Sequence, residues 1–245
     1  MAGIGLINLK VLILDSDYYA MQSINSYLAW DRRTRVTFMT TSLDEFWEYL
    51  HDSAIAELPD VVIMDADHLG DITHVKDVLR QTQQFMPNAV LICLAQHVSP
   101  KLVEACAEAG ARAFLLKQEV QMQIAWAIIY TLEHDFVVTQ QVARLTHDTK
   151  NHLLYDADIL PEQRKYPEMT DRIEQAIRLC VVEGMPAHLA ADEMGISLHT
   201  IRGYIKEGYR ILESYDNHEY PTDMTPQERA FMRFTALANE KNTPS

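Results

Sequence analysis

Through the first half of the chain, short apolar runs alternate with stretches in which apolar residues recur every three or four positions. Residues 10–14, 36–40, 61–64, 89–95 and 113–116 are apolar runs of strand length. Between them Leu43, Phe46, Trp47 and Leu50 keep helical spacing, as do Ile72, Val75, Val78 and Leu79, and then Leu102, Val103 and Cys106. Residues 121–132 predict a further helix. Runs that are apolar throughout suit strands buried on both faces, so the pattern predicts a five-stranded parallel sheet with helices on each side.

Strands and helices alternating in this way over residues 1–133 predict a flavodoxin-like α/β domain, whose ligands meet the chain at the carboxyl ends of the strands. Residues 134–169 predict a helical connector and a linker, because 147–167 are polar, hold two prolines and carry no sustained apolar period. From residue 170 the helical pattern returns in Ile173, Ala176, Ile177, Cys180 and Val181. Helices over 187–194 and 198–214 follow, separated by Gly195, Ile196 and Ser197. Residues 170–216 therefore predict an all-α domain, and 217–245 a C-terminal extension in which a further helix begins near Thr225 and 239–245 fray.

A chain of 245 residues that is 48% hydrophobic can fill two cores. Its apolar stretches are too short to cross a bilayer and its start lacks the basic residues of a secretory signal, so the expectation is a soluble cytoplasmic protein with no membrane partner. Cys93, Cys106 and Cys180 lie far apart without a CxxC pair, which suggests small buried residues, not a disulfide framework or a zinc site. The formal charge is −14, with 9 basic against 17 acidic residues in 1–133 and 12 against 18 in 134–245. That excludes coating nucleic acid by bulk electrostatics, so any contact with DNA must be local.

Candidate chemistry gathers at the strand ends. The first strand runs into Asp15, Ser16 and Asp17 and the third into Asp65, Ala66 and Asp67, which are neighbouring ends in a sheet of this order. Converging carboxylates repel unless a cation neutralises them; Mg²⁺, held by Asp15 and Asp65, suits oxygen ligands and a phosphate, and Lys117 after the fifth strand can reach the same edge. Solvated caps of the following helices explain the same acids equally well. The segments LILDSD, VVIMDAD, VLICLAQ and GARAFLLK, in that order, resemble the receiver domain of two-component response regulators over residues 8–133. The resemblance implies that Asp65 is the phosphoacceptor for a histidine kinase, Asp15 an acidic-pocket residue, Lys117 the pocket lysine and Phe114 the switch aromatic. Ser16 stands where such receivers carry a second acid, and Leu94 before Ala95 where they carry a hydroxyl. Asp17 or Asp67 could make good the missing acid, and an unphosphorylated dimerisation or partner-binding module is the rival expectation.

In the second half, Leu189, Ala190 and Met194 predict the inward face of one helix, Gly195 a left-handed turn, Ile196 a plug and Ser197 the cap of the next helix. On that helix Arg202, Lys206 and Arg210 are four apart and face away from Ile201, Ile205 and Leu212. A cationic stripe with short polar residues at its start is what a DNA recognition helix needs, although a solvated helix face shows the same pattern. The segment GMPAHLAADEMGISLHTIRGY resembles, without a gap, the LuxR-type helix-turn-helix of NarL/FixJ response regulators, and the resemblance implies DNA contacts from His199, Thr200, Arg202 and Lys206.

The expectation is thus a non-enzymatic, DNA-binding transcriptional regulator of the two-component type, working as a homodimer on double-stranded DNA alongside RNA polymerase. The alternative is an adaptor that binds the transcription machinery and not DNA. No Gly-rich phosphate loop, nucleophile elbow or His-based metal motif points to an enzyme.

Overall fold

A computed structural model describes residues 7–147, 151–216 and 219–238. The chain divides into two compact units, one formed by Asn8–Ala29 with Arg33–Pro161 and the other by the chain from Glu162 together with Ile7 and Trp30–Arg32. Among the described residues no helix is long and apolar enough to cross a membrane.

In the first unit β1 (Leu9–Leu14), α1 (Tyr18–Ala29), β2 (Thr34–Thr40), α2 (Leu43–Asp52), β3 (Val61–Asp65), α3 (Ile72–Phe85), β4 (Val90–Ala95), α4 (Pro100–Glu108) and β5 (Ala113–Leu116) alternate as their spacing predicts. After β5 come a single turn α5 (Lys117–Val120) and α6 (Ile124–Leu132). Side-chain oxygens start the helices: Ser42 accepts from the Glu45 amide and Asp71 from the His74 amide. Leu12, Val62, Leu91 and Phe114 point to one face of the sheet and pack against Phe46 and Leu50 of α2, Val75 and Leu79 of α3, and Val103 and Cys106 of α4. Period-two alternation puts Val11, Ile13 and Ile63 on the other face, where α1 meets α6. A strand covered on both faces has no use for alternating polarity, which is why these runs are apolar throughout.

Among the described residues the sheet has seven strands, not five, in the order β2-β1-β3-β4-β5-β6-β7 and all parallel. The two additions lie in residues given above to a connector and linker: β6 (Val137–Val138), α7 (Gln140–Thr146), α8 (His152–Tyr155) and β7 (Asp158–Ile159). The Val137 amide donates to Arg112 O at 2.9 Å, the Asp158 amide to Phe136 O at 2.8 Å and the Leu160 amide to Val138 O at 2.8 Å. Thr139 Oγ1 accepts from the Leu116 amide at 3.2 Å, and Phe136, Val138 and Val142 are buried in the core. Strands of two residues are too short to show a period, and a few apolar anchors suffice to dock them.

The second unit is helical: α9 (Asp171–Ile177), a π-helical turn (Arg178–Val182), α10 (Ala187–Met194), α11 (Leu198–Ser214) and α12 (Pro226–Phe234). Thr225 and Glu228 form a reciprocal capping box that starts α12, and Ala230, Phe231, Met232 and Phe234 of that helix are buried. The predicted fraying of 239–245 lies outside the described residues. All three cysteines are free, Cys93 and Cys106 buried and Cys180 only partly so.

Tyr166 is buried in this unit, its hydroxyl donating to Arg233 O, and burial pushes its pKa up to about 12. A raised folded pKa means that the contribution is intact below pH of about 10, the ordinary tyrosine value, and drains away as pH rises toward the folded value. Urea midpoints of wild type and Tyr166→Phe should therefore converge between pH 9 and 12, the wild type losing about 2 kcal/mol more than the variant. Parallel curves over that range would contradict a buried, neutral Tyr166.

Candidate signal pocket and nucleic-acid interface

Asp15 closes β1 and Asp65 closes β3, adjacent strands in the sheet, so both carboxylates reach the same edge. Their side chains are 1% and 2% exposed, and Lys117, just past β5, places Nζ 2.8 Å from Asp15 Oδ2 and 3.1 Å from Asp65 Oδ2. The ammonium meets the pair by charge, without the alignment of a hydrogen bond. Burial raises the Asp15 pKa and outweighs its contacts with Lys117 and the Asp17 amide, leaving it above the ordinary carboxylate value. For Asp65 burial works in the same direction, but the Lys117 charge and the His68 contact prevail and hold it low. Burial disfavours the charged Lys117, yet the two aspartates win and raise its pKa. Lys117 is thus a fixed cation between two buried carboxyls.

The remaining pocket residues do not complete an acidic cage. Ser16 is exposed. Asp17 Oδ1 accepts from the Tyr19 and Ala20 amides at 2.9 and 3.1 Å, so its carboxylate caps α1. Asp67 Oδ2 accepts from the Gln96 amide at 2.6 Å and the His97 amide at 3.3 Å, turning toward the loop after β4. Both candidate replacements for the missing acid are therefore committed to backbone amides. Leu94 pairs with Asp65 across β3 and β4, is 2% exposed and offers no hydroxyl. Phe114 is fully buried in the core.

Mg²⁺ fits this arrangement poorly. Lys117 already lies between the two carboxylates that would hold it, Ser16 brings no charge, and among the described residues no group of three or more His, Cys, Asp or Glu could hold a metal ion. A contact invisible to the sequence analysis fills the last position: His68 Nδ1 lies 2.6 Å from Asp65 Oδ2. The only sequence signal was a histidine three residues after the acid, in a turn.

In the second unit α10 and α11 occupy the stretches that the spacing predicts. Gly195 takes φ 64°, ψ 36° and lets the chain turn back, and Ser197 Oγ accepts from the Thr200 amide at 3.0 Å to start α11. The inward face of α10 is corrected: Ala190, Ala191 and Met194 are buried with Ala176 and Ile201, whereas Leu189 is 49% exposed. Positions 187, 190, 191 and 194 share one helix face, and 189 lies off it.

On α11, His199, Arg202 and Lys206 are exposed and Thr200 half-buried, its hydroxyl 2.8 Å from Ser197 Oγ. Among the described residues no ion pair joins Arg202 or Lys206 to an acid. Arg210 differs: its guanidinium pairs with Glu207 at 2.7 Å and with Glu168 at 3.6 Å. The expected stripe of three cations is therefore two available charges and one already matched.

No family model matches the chain. The response regulator protein VraR of Staphylococcus saprophyticus subsp. saprophyticus is 23% identical over 208 residues, covering 85% of this chain and 92% of that protein. This chain is similar to a response regulator over most of its length. Among solved structures it resembles two RcsB dimers bound to two parallel DNAs (18% identity, TM-score 0.50, 82% of this chain and 89% of that one). It also resembles an RcsB response regulator–DNA complex (16%, TM-score 0.50, 95% and 94%). The response-regulator likeness thus spans both units in order, a receiver-like sheet and then a helix-turn-helix, as the separate resemblances in the sequence imply.

Proposed function

We propose that this chain is a DNA-binding transcriptional regulator of the response-regulator type, and that its receiver takes its input without phosphoryl transfer to Asp65. The DNA half of the reading is carried by one observation: Arg202 and Lys206 are exposed and unmatched on the helix after the turn, in a chain where acids otherwise prevail. Residues 170–213 hold 5 basic and 7 acidic residues, so attraction of a polyanion depends on local cations such as those of that helix face and not on net charge. The VraR relative and the DNA-bound RcsB structures support the same reading. Two copies binding across two half-sites compensate for the small number of phosphate contacts per copy. Titrating the full chain against a mixed pool of duplex DNA at two salt concentrations tests this: affinity falls steeply with salt if the helix enters a groove. Absence of binding at low salt, with retention of polymerase, leaves the adaptor reading instead.

The input half rests on Lys117, His68 and Asp67 already crowding the pocket. Asp65 Oδ2 lies against both Lys117 and His68, Asp65 Oδ1 accepts from the Asp67 amide at 3.3 Å, and the loop amides of Gln96 and His97 are taken by Asp67. An incoming phosphoryl group needs an acid free to attack and donors free to receive its oxygens. Incubation with a small acyl phosphodonor and Mg²⁺ should accordingly leave the intact mass unchanged. Hydrogen exchange should find the Gln96 and His97 amides protected in the untreated protein and exposed in Asp67→Ala. A phosphoryl adduct mapped to Asp65 overturns the proposal.

A further inference from the structure

α11 contains two glycines, and they have different explanations. Glycine is among the poorest residues for a helix interior, because it gives up the most backbone freedom on folding, so each position needs a reason. Gly208 is buried, and a Cβ there would sit 2.5 Å from Cγ1 and Cδ1 of Ile177; close packing of α9 on α11 requires it. Gly203 is exposed, and a Cβ there would meet nothing within 4 Å. Its φ is not in the left-handed region, so neither backbone conformation nor internal packing calls for glycine.

Its position suggests what does. Gly203 lies between His199 and Lys206 at spacings of four and three, on the exposed face of α11, next to Arg202. The surface around it is concave, about 690 Å³, lined by Arg202, Gly203, Lys206 and Tyr209 together with Arg210 and the acids Glu207 and Glu213. A bare stretch of helix backbone is therefore flanked by the two cations of α11 that make no ion pair among the described residues.

We propose that Gly203 is a positioning residue for DNA recognition: its missing side chain lets the α11 backbone approach the floor of the major groove, so that Arg202 and Lys206 reach base edges and phosphates on either side. The inference rests on the DNA-binding reading. The major groove admits an α-helix with little room to spare, and each added atom at the point of closest approach moves the whole helix outward. Contacts to base edges depend on that approach more steeply than contacts to phosphates, so specificity should suffer more than non-specific binding.

The test begins with a random duplex library from which the full-length wild-type chain selects its preferred sequence; the selected duplex and a scrambled copy are the probes. Alanine at this site favours the helix, so in Gly203→Ala the α11 amides should gain about fivefold in hydrogen-exchange protection. The same variant should lose about tenfold in affinity for the selected duplex and much less for the scrambled one. Gly203→Gln, also a good helix former but longer, should lose more. A gain in protection with a loss of selective affinity is the result expected, since a purely structural role cannot move the two in opposite directions. Unchanged or tighter binding by Gly203→Ala, or a loss of affinity accompanied by a loss of protection, overturns the inference. Loss of binding by Arg202→Ala with none by Gly203→Ala sinks it alone; failure of the wild type to select any duplex sinks the DNA-binding reading with it.

Discussion

Replacing Arg202 and Lys206 together by alanine lowers the affinity for duplex DNA about a hundredfold, each cation contributing about 1–3 kcal/mol at a groove. The slope of log affinity against log salt falls by about two, as two phosphate-facing charges are removed. Both side chains are exposed on α11 and make no ion pair among the described residues, so thermal unfolding should be unmoved. Arg210→Ala is the internal control: its charge is matched by Glu207 and Glu168, so the loss of affinity should be under about threefold. Glu207→Gln should act in the opposite sense, tightening binding by freeing that guanidinium. A double variant that binds as the wild type does, with the same salt slope, removes the basis for a DNA-binding role.

The second large effect is one of stability. Lys117→Met leaves Asp15 and Asp65 facing each other with no cation between them, and breaking a buried pair in this way costs about 3–5 kcal/mol. The sign of its pH dependence follows from the carboxyls. In the wild type Asp65 is held low by Lys117 and His68 against its burial, so its share of stability is present above the ordinary carboxylate range and is lost as pH falls through the lowered value. Without Lys117 burial and mutual repulsion push both carboxyls up, opposed only by the His68 contact on Asp65 and the Asp17 amide on Asp15. A raised folded pKa gives stability that is present below the unfolded value and lost as pH rises through the folded one. The deficit of Lys117→Met should therefore be greatest at pH 8 and shrink toward pH 4. Urea midpoints at the two pH values check it, and a second change, Asp65→Asn, should recover part of the loss at pH 8. A deficit that grows in acid would show that Lys117 does not neutralise this pair.

The elements were readable where periodicity runs long enough to count. Five apolar runs marked β1 to β5, and Gly195 with Ser197 marked the bounds of α10 and α11, because a left-handed turn and a side-chain cap each demand few residue types. β6 and β7 were not readable, since two residues carry no period and the stretch around them is polar. In the pocket, convergence of Asp15, Asp65 and Lys117 followed from strand order alone. The direction in which each neighbouring acid turns did not. Asp17 and Asp67 face away because nearby amides compete for their oxygens, and that competition is settled in three dimensions. Of the two acids that take Arg210 out of the cationic stripe, Glu207 lies three residues away on the same helix, whereas Glu168 is 42 residues away in sequence.

The late strands carry one further consequence, for biosynthesis. β5 leaves the ribosome before the segment that covers its outer side, since Val137–Val138 follow only after α6 and Asp158–Ile159 later still. In that interval the amides and carbonyls along β5 are bare beside apolar side chains, the condition in which nascent chains adhere to one another. For β5 that hazard ends only when Val137–Val138 have emerged and paired with it.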